Sequence, residues 1–286
     1  MAKQTNERTN DREPGEPEDR RVSASPSRRV SASLSARVSA SPRRRVPVSQ
    51  SDLRILLWDI DGTLIHSLRS GAYKDYTIPV LQEVFGTAGR LSEMKVSGMT
   101  DLQIIGEALR HEGFTERHVR ERLDHLRTRY MEEMQKATVN GEQFFEILPG
   151  VPEVLRAVAV DPRYYSALLT GNIEPAAYLK MELMGLSEFF VLPGAFGDES
   201  HDRRDLPSLA AERIRKHLQL DLAPDQFIVI GDTPNDIACA RHFGARVVAV
   251  ATGRLYNSEQ LLRHKPDALL PDLSNVDLVM KTLGKL

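Results

Sequence analysis

The segment Leu56-Leu57-Trp58-Asp59-Ile60-Asp61-Gly62-Thr63-Leu64 decides the fold, because an apolar run ends there in two carboxylates and a glycine. The run begins after Arg54 and is short and almost continuously apolar, which is typical of a strand buried on both faces of a sheet. Gly62 favours a turn directly after the acids. The segment therefore predicts a buried strand whose carboxyl end carries Asp59 and Asp61.

Similar apolar runs follow this segment and alternate with amphipathic stretches. The runs are residues 165–169, 227–230, 246–250 and, more weakly, 268–270. Helical spacing of apolar residues occupies about 150–160, 173–185, 206–219, 234–243 and 257–264. Strands that alternate with helices predict a doubly wound α/β domain built on a parallel sheet.

Residues of roughly 70–145 break this alternation. Apolar residues recur there at three- and four-residue intervals, as in Leu102, Ile105 and Leu109, and no convincing strand is visible. An all-helical insert between the first strand and the rest of the sheet is the expectation. The predicted domains are a tail at 1–50, an α/β core at 51–69 and 146–286, and a helical cap at 70–145.

The first fifty residues have a different composition. An eight-residue unit, Arg-Arg-Val-Ser-Ala-Ser-Pro-Ser at 20–27, returns at 28–35 and 36–43 and decays at 44–47. Such a segment has too little apolar surface to offset its ordering entropy, so we predict disorder. The arginines could bind an anionic surface, and Arg-Arg-Val-Ser resembles a basic-directed kinase site. The simpler alternative is a dispensable extension, and the partner of the tail is unknown.

Composition narrows the function classes. Hydrophobic residues make up 41% and charged residues 27%, as in an ordinary globular protein, and a net charge of −2 gives no bulk argument for nucleic acid. The single cysteine, Cys239, excludes an internal disulfide and a cysteine-rich metal site. No apolar run reaches the roughly 18 residues of a membrane helix, and the N-terminus lacks the apolar core of a secretory signal. The expectation is a cytoplasmic protein without a membrane partner.

Acidic side chains mark two predicted strand ends. Asp232 ends the run at 227–231, and Asp236 follows four residues later. In open α/β sheets, ligands bind at the carboxyl ends of the strands. Asp59, Asp232 and Asp236 suit Mg²⁺, which prefers oxygen ligands and is often shared with a substrate phosphate. One carboxylate of the Asp59–Asp61 pair could attack phosphorus and the other could protonate the leaving group, although acidic turns and helix caps explain each motif taken singly.

Two further stretches supply donors for a phosphate. Thr170, with Gly171 and Asn172, follows another apolar run, and a hydroxyl with backbone N–H groups at a helix start suits an anion. A helix cap is the alternative there. Charge compensation for a phosphoryl group also needs a cation, and the candidates are Arg203 and Arg204, with a solvated basic loop as the alternative.

Taken in order, these motifs resemble those of the haloacid dehalogenase superfamily. Asp59-Ile60-Asp61-Gly62-Thr63 resembles its nucleophile loop, Thr170 its second motif, and the segment 231–236 its acidic fourth motif. The third motif is usually a lysine, often followed closely by proline, whereas this chain has arginines ahead of Pro207. We expect Arg203 in that role, with Arg204 close behind. The resemblance covers about residues 53–270 and implies a Rossmann-like core with a helical cap.

The resemblance also implies an activity. It implies a Mg²⁺-dependent phosphatase that hydrolyses a small phosphorylated metabolite, such as a phosphoglycolate-like monoester, through an aspartyl phosphate. Asp59 would be the nucleophile and Asp61 the acid and base, Thr170 and Arg203 would hold the phosphoryl oxygens, and Asp59, the Asp61 carbonyl, Asp232 and Asp236 would form the metal site. The expected substrate-binding residues are Gly62, Thr63, Gly171, Asn172, Arg204 and the cap residue Thr100, for which a helix cap is the alternative.

Three rival functions remain at this level. A phosphomutase of the same superfamily shares both aspartates and differs in its cap. A haloacid dehalogenase uses one aspartate without a metal, so Asp61 and the acids at 232 and 236 argue against it. A catalytically inactive binding protein would have little reason to retain all of these acids.

Overall fold

The computed structural model describes residues 49–69, 71–139 and 144–286. The predicted disordered tail, apart from its last two residues, lies outside the described residues, so its disorder stays a prediction. Among the described residues, no helix is long and apolar enough to cross a lipid bilayer.

A five-stranded parallel sheet forms the centre of the domain, with the strand order β4-β1-β5-β6-β7. Its strands are β1 (Arg54–Trp58), β4 (Tyr164–Leu168), β5 (Phe227–Gly231), β6 (Arg246–Val250) and β7 (Ala268–Leu270). The first strand lies between β4 and β5, with Leu56 opposite both Ser166 and Ile228. The chain thus winds to one side of β1 and then to the other, which creates the crevice where α/β folds bind ligands.

Apolar side chains of β1 point to both faces of this sheet, as its continuous apolar run predicts. Leu56 and Trp58 pack into one buried cluster, while Ile55 and Leu57 pack into the other. Full burial of such side chains stabilises the fold by about 1.5–3 kcal/mol each. The covering helices are α5 (Val151–Val160), α6 (Glu174–Leu183), α7 (Leu206–Leu218), α8 (Pro234–Phe243), α9 (Ser258–Leu262) and α10 (Val276–Leu283).

A helical insert separates β1 from the other core strands. Its helices are α1 (Ala72–Phe85), α2 (Asp101–Leu109), α3 (Glu116–Glu121) and α4 (Leu123–Val139). The chain enters and leaves through two short antiparallel strands, β2 (Ile65–Ser67) and β3 (Phe145–Ile147). The predicted α/β fold with a helical insert is confirmed, whereas the exact domain limits stay a prediction.

Candidate active site

Three neighbouring strands bring the predicted residues together. Asp59 follows β1, Thr170 follows β4 after one residue, and Asp232 follows β5. The backbone N–H of Asp59 donates to the carbonyl of Ile230 at 3.0 Å, which continues the sheet pairing into the loop. A pocket of about 390 Å³ opens at these strand ends and includes all three side chains in its wall.

Three buried carboxylates lie close together at these strand ends. Ligand oxygens of Asp59, Asp232 and Asp236 lie within 4.8 Å of one another. Burial raises the pKa of Asp59 to about 7, although the Arg203 guanidinium opposes that rise. Burial, followed by the neighbouring carboxylates Asp59 and Asp236, also raises the pKa of Asp232 well above its usual value. Like charges at this spacing disfavour ionisation, so the group is suited to bind additional positive charge.

Asp236 lies deeper than the other two acids. Its Oδ2 accepts hydrogen bonds from the backbone N–H and the hydroxyl of Thr233, in the capping box that begins α8. Its Oδ1 accepts a bond from Arg203, and its side chain is absent from the pocket wall. The structure therefore brings Asp236 to the acidic group but uses both of its oxygens within the protein.

The two candidate arginines have opposite environments. Arg203 Nη2 lies 3.2 Å from Asp59 and 2.5 Å from Asp236, and only 6% of its side chain is exposed. Arg204 pairs with Asp202 instead, and 59% of its side chain is exposed. The structure therefore does not bring Arg204 to the acids or to the pocket wall, and its substrate contact stays a prediction.

Asp61 lines the same pocket but has different partners from those of Asp59. Both of its carboxylate oxygens accept hydrogen bonds from Lys180, at 2.8 and 2.6 Å, and Asn172 donates to one of them at 2.7 Å. The sequence motifs do not indicate Lys180. The pattern that could have indicated it is its place on the buried face of α6, beside Ala176, Ala177 and Met181, where an unpaired lysine would be unfavourable.

The predicted phosphate-binding loops are close to these acids. Asn172 donates through its Nδ2 to the Thr170 hydroxyl at 2.7 Å, and Gly171 lines the pocket beside them. Gly62 also lines the pocket, with a left-handed φ of 90° that suits glycine. Thr63 is buried and donates to Asp232 at 3.3 Å, so the structure shows it supporting an acid and does not place it in the pocket wall.

The start of α2 brings the insert against the core. Thr100 is buried and accepts a bond from Gln103 N–H, so it is the helix cap and is absent from the pocket wall. Its neighbour Asp101 reaches the pocket and accepts a bond from the N–H of Ile173 at 2.8 Å. Burial raises the pKa of Asp101 to about 7, although the hydrogen bond from the Ile173 N–H opposes that rise. The helix-cap alternative for Thr100 therefore explains its position, and its substrate contact stays a prediction.

Backbone contacts complete this junction between the insert and the core. The N–H of Asp101 donates to the carbonyl of Gly171, and that of Leu102 to the carbonyl of Gly197. A Cβ on Gly171 would collide with the carbonyl of Met99, and one on Gly197 with the carbonyl of Gly171. The two segments therefore approach as closely as bare backbone allows.

Cationic side chains surround the outer part of the pocket. Arg69, Lys74 and Lys95 come from the segments around α1 and α2, and Arg254 comes from the loop after β6. Arg69 pairs with Asp75, and Lys74 donates to the carbonyl of Ser92. We call these four side chains the cationic rim.

Comparison with known proteins agrees with this architecture. A family model described as HAD-hydrolase-like matches residues 203–276. Pyrophosphatase PpaX of Bacillus anthracis is 26% identical over 126 residues, which are 43% of this chain, and the chain spans about half (54%) of that relative. Phosphoglycolate phosphatase of Vibrio vulnificus is 23% identical over 246 residues, 82% of this chain and 99% of that protein.

Solved structures show the same fold. A predicted phosphoglycolate phosphatase from Haemophilus somnus superposes with a TM-score of 0.55 at 20% identity, over 80% of this chain and 98% of the other. A protein named as a β-phosphoglucomutase from Bacteroides vulgatus superposes with a TM-score of 0.58 at 22% identity, over 82% and 90%. The family match over residues 203–276, the similarity to these relatives and the order of the motifs along the chain support a phosphatase-like protein of the haloacid dehalogenase superfamily.

Proposed function

We propose that the protein is a Mg²⁺-dependent phosphatase that hydrolyses a small phosphomonoester through an aspartyl phosphate on Asp59. The observation that carries this proposal is that two carboxylates of one pocket have different partners. Asp59 lies against Arg203 in the buried acidic group, while Asp61 is held by Lys180 and Asn172. One carboxylate is thus available for attack and the other for proton transfer.

The residues present fit a divalent cation. Asp59 and Asp232 line the pocket, and the single guanidinium of Arg203 has to compensate these two acids and Asp236. Gly253 packs so tightly on Asp232 that a Cβ there would collide with the carboxylate. Bound by Asp59 and Asp232, Mg²⁺ would supply positive charge beside the phosphoryl oxygens. The carbonyl of Asp61 as a further ligand stays a prediction, and Asp236 is better suited to holding Arg203.

In the first step, an oxygen of Asp59 forms a bond to phosphorus while the bond from phosphorus to the ester oxygen breaks. The electron pair of the broken bond stays on the ester oxygen, and protonated Asp61 gives that oxygen its proton. In the second step, a water oxygen attacks phosphorus, Asp61 takes the proton of the water, and the bond from phosphorus to Asp59 breaks. Arg203 and Thr170 stabilise the negative charge of the phosphoryl oxygens in both steps.

The cationic rim supports a substrate with a second anionic group. Arg203 and Lys180 are already paired with acids, so the cationic rim is the remaining positive charge among the residues that line the pocket. A carboxylate two or three bonds from the phosphate, as in phosphoglycolate, fits this charge pattern. A sugar bisphosphate fits it as well, which makes a phosphomutase the second candidate function.

Phosphate release measures this proposal directly. The assay compares phosphoglycolate with an uncharged alkyl phosphate of similar size, in Mg²⁺ and in EDTA. We expect Mg²⁺-dependent release, preference for the carboxylated ester, and loss of turnover in Asp59→Asn. Asp277→Asn, an exposed aspartate in α10, is the matched control and should behave as the wild type.

Three results would contradict the proposal. Native turnover in Asp59→Asn would exclude the aspartyl phosphate. Release that is unchanged in EDTA would exclude the cation. Interconversion of sugar phosphates that is faster than phosphate release would favour the mutase.

A further inference from the structure

Lys180 is a buried lysine at a position where an apolar side chain would be less unfavourable to bury. Only 2% of its side chain is exposed, and its ammonium lies 5.4 Å from the centre of the Phe145 ring. Lysine is seldom buried without a partner, because removing an ammonium group from water is strongly unfavourable. The partner of Lys180 therefore indicates why the lysine is there.

The contacts of Lys180 converge on one carboxylate. Its Nζ donates to both oxygens of Asp61 and, at 2.7 Å, to Oδ1 of Asn172. Asn172 donates in turn to Asp61 and to the Thr170 hydroxyl. This closed set of bonds restricts rotation of the Asp61 carboxylate about its side-chain torsions.

A purely structural role does not explain this arrangement. The Asp61 side chain is 43% exposed and needs no buried counter-ion for its own solvation. A methionine at position 180 would fill the site between α6 and Phe145 without the cost of burying a charge. The ion pair thus serves the orientation of Asp61 more than the stability of the fold.

We propose that Lys180 is a positioning residue, which holds the Asp61 carboxyl group where it can pass its proton to the ester oxygen. This inference rests on the proposed phosphatase function and adds a residue to it. In the step concerned, Asp61 loses its proton to the ester oxygen as the bond from phosphorus to that oxygen breaks. Lys180 itself exchanges no proton and forms no bond with the substrate.

The dependence on the leaving group separates positioning from a general loss of structure. An alkyl phosphate needs protonation of its departing oxygen, whereas a nitrophenyl phosphate releases a stable phenolate and needs little. General acid catalysis contributes about 10²–10⁴-fold. In Lys180→Met we therefore expect kcat/KM, which reports the first step alone, to fall by about 100-fold or more for the alkyl ester and by less than about 10-fold for the aryl ester.

Two further variants complete the experiment. Lys281→Met, at an exposed lysine of α10, is the matched control and should leave both esters at wild-type rates. In an Asp61→Asn background, adding Lys180→Met should change kcat for the aryl ester by less than about twofold, because a positioning residue has nothing left to position. If Lys180→Met fails to fold, Lys180→Gln enters the same comparison.

Each outcome decides the inference. Equal losses on both esters, or a full additional loss in the Asp61→Asn background, would overturn it. Selective loss on the alkyl ester with no additional loss in that background would support it. If the wild type released no phosphate from any ester, the proposed function would fail. If the wild type were active and Lys180→Met worked equally well, the inference about Lys180 alone would be overturned.

Discussion

Replacement of Arg203 by methionine tests the electrostatics of the acidic group. The guanidinium is buried and lies 3.2 Å from Asp59 and 2.5 Å from Asp236, while oxygens of Asp232 lie within 4.8 Å of both acids. Removing one partner from a buried ion pair costs about 3–5 kcal/mol, because the remaining charge is left without compensation. Since about 1 kcal/mol corresponds to 2–4 °C in a domain of this size, Tm should fall by about 6–20 °C.

The neighbouring arginine provides the control. Arg204→Met removes the same charge and nearly the same volume one residue later, where the side chain pairs with the partly exposed Asp202. We expect no measurable change in Tm, because exposed ion pairs contribute little to stability. Thermal unfolding of both variants and the wild type, followed by circular dichroism in EDTA, gives the comparison.

The result that would refute this reasoning is a similar Tm for the two variants. It would mean that Arg203 does not compensate the acids in the folded protein. Phosphate release adds an independent measurement, since Arg203→Met should lose turnover and Arg204→Met should keep it. A loss of turnover in Arg204→Met alone would assign the phosphoryl contact to the other arginine.

Three other predictions follow from the described contacts. Folded Asp101 keeps its proton up to about pH 7, against an ordinary pKa of 3.8, so unfolding free energy should fall as pH rises through this range. Asp101→Asn should reduce that fall by up to roughly 4 kcal/mol in urea titrations, and an unchanged pH profile would contradict the assignment. Gly253→Ala should weaken Mg²⁺ binding, measured by calorimetry, because the added Cβ displaces Asp232. Gly106→Ala is the control, since it has room for a Cβ and should bind Mg²⁺ as the wild type does. Equal Mg²⁺ affinities of the two variants would argue against the cation site. Deletion of residues 1–48 should leave phosphate release intact, and loss of phosphate release would show that the tail is required. The deletion stops before Gln50, because that residue forms hydrogen bonds with Asp221 and Gln226.

Much of the fold could be predicted because its strands are buried on both faces. Continuous apolar runs such as 55–58 and 227–230 have few alternatives, and the helices between them follow from spacing. The short strands β2 and β3 could not be predicted, since three residues carry no detectable period.

Some residues of the site could also be predicted from the sequence, whereas others could not. Residues that directly follow strands, such as Asp59, Thr170 and Asp232, converge because parallel strand ends share one edge. The sequence does not distinguish the roles of Arg203 and Arg204, because the turn ahead of α7 decides which of the two side chains is buried. Lys180 is a long-range partner of Asp61, 119 residues away, and local patterns do not report such pairs.

The close contact between α2 and the Gly171 loop limits how this protein can be recombined. Its backbone bonds, from Asp101 to Gly171 and from Leu102 to Gly197, leave no room for side chains on either glycine. An insert transplanted from a relative has to reproduce this backbone path and supply a carboxylate to the Ile173 N–H. Chimeras designed to change specificity should therefore retain residues 97–102 of this chain and exchange only the helices beyond them.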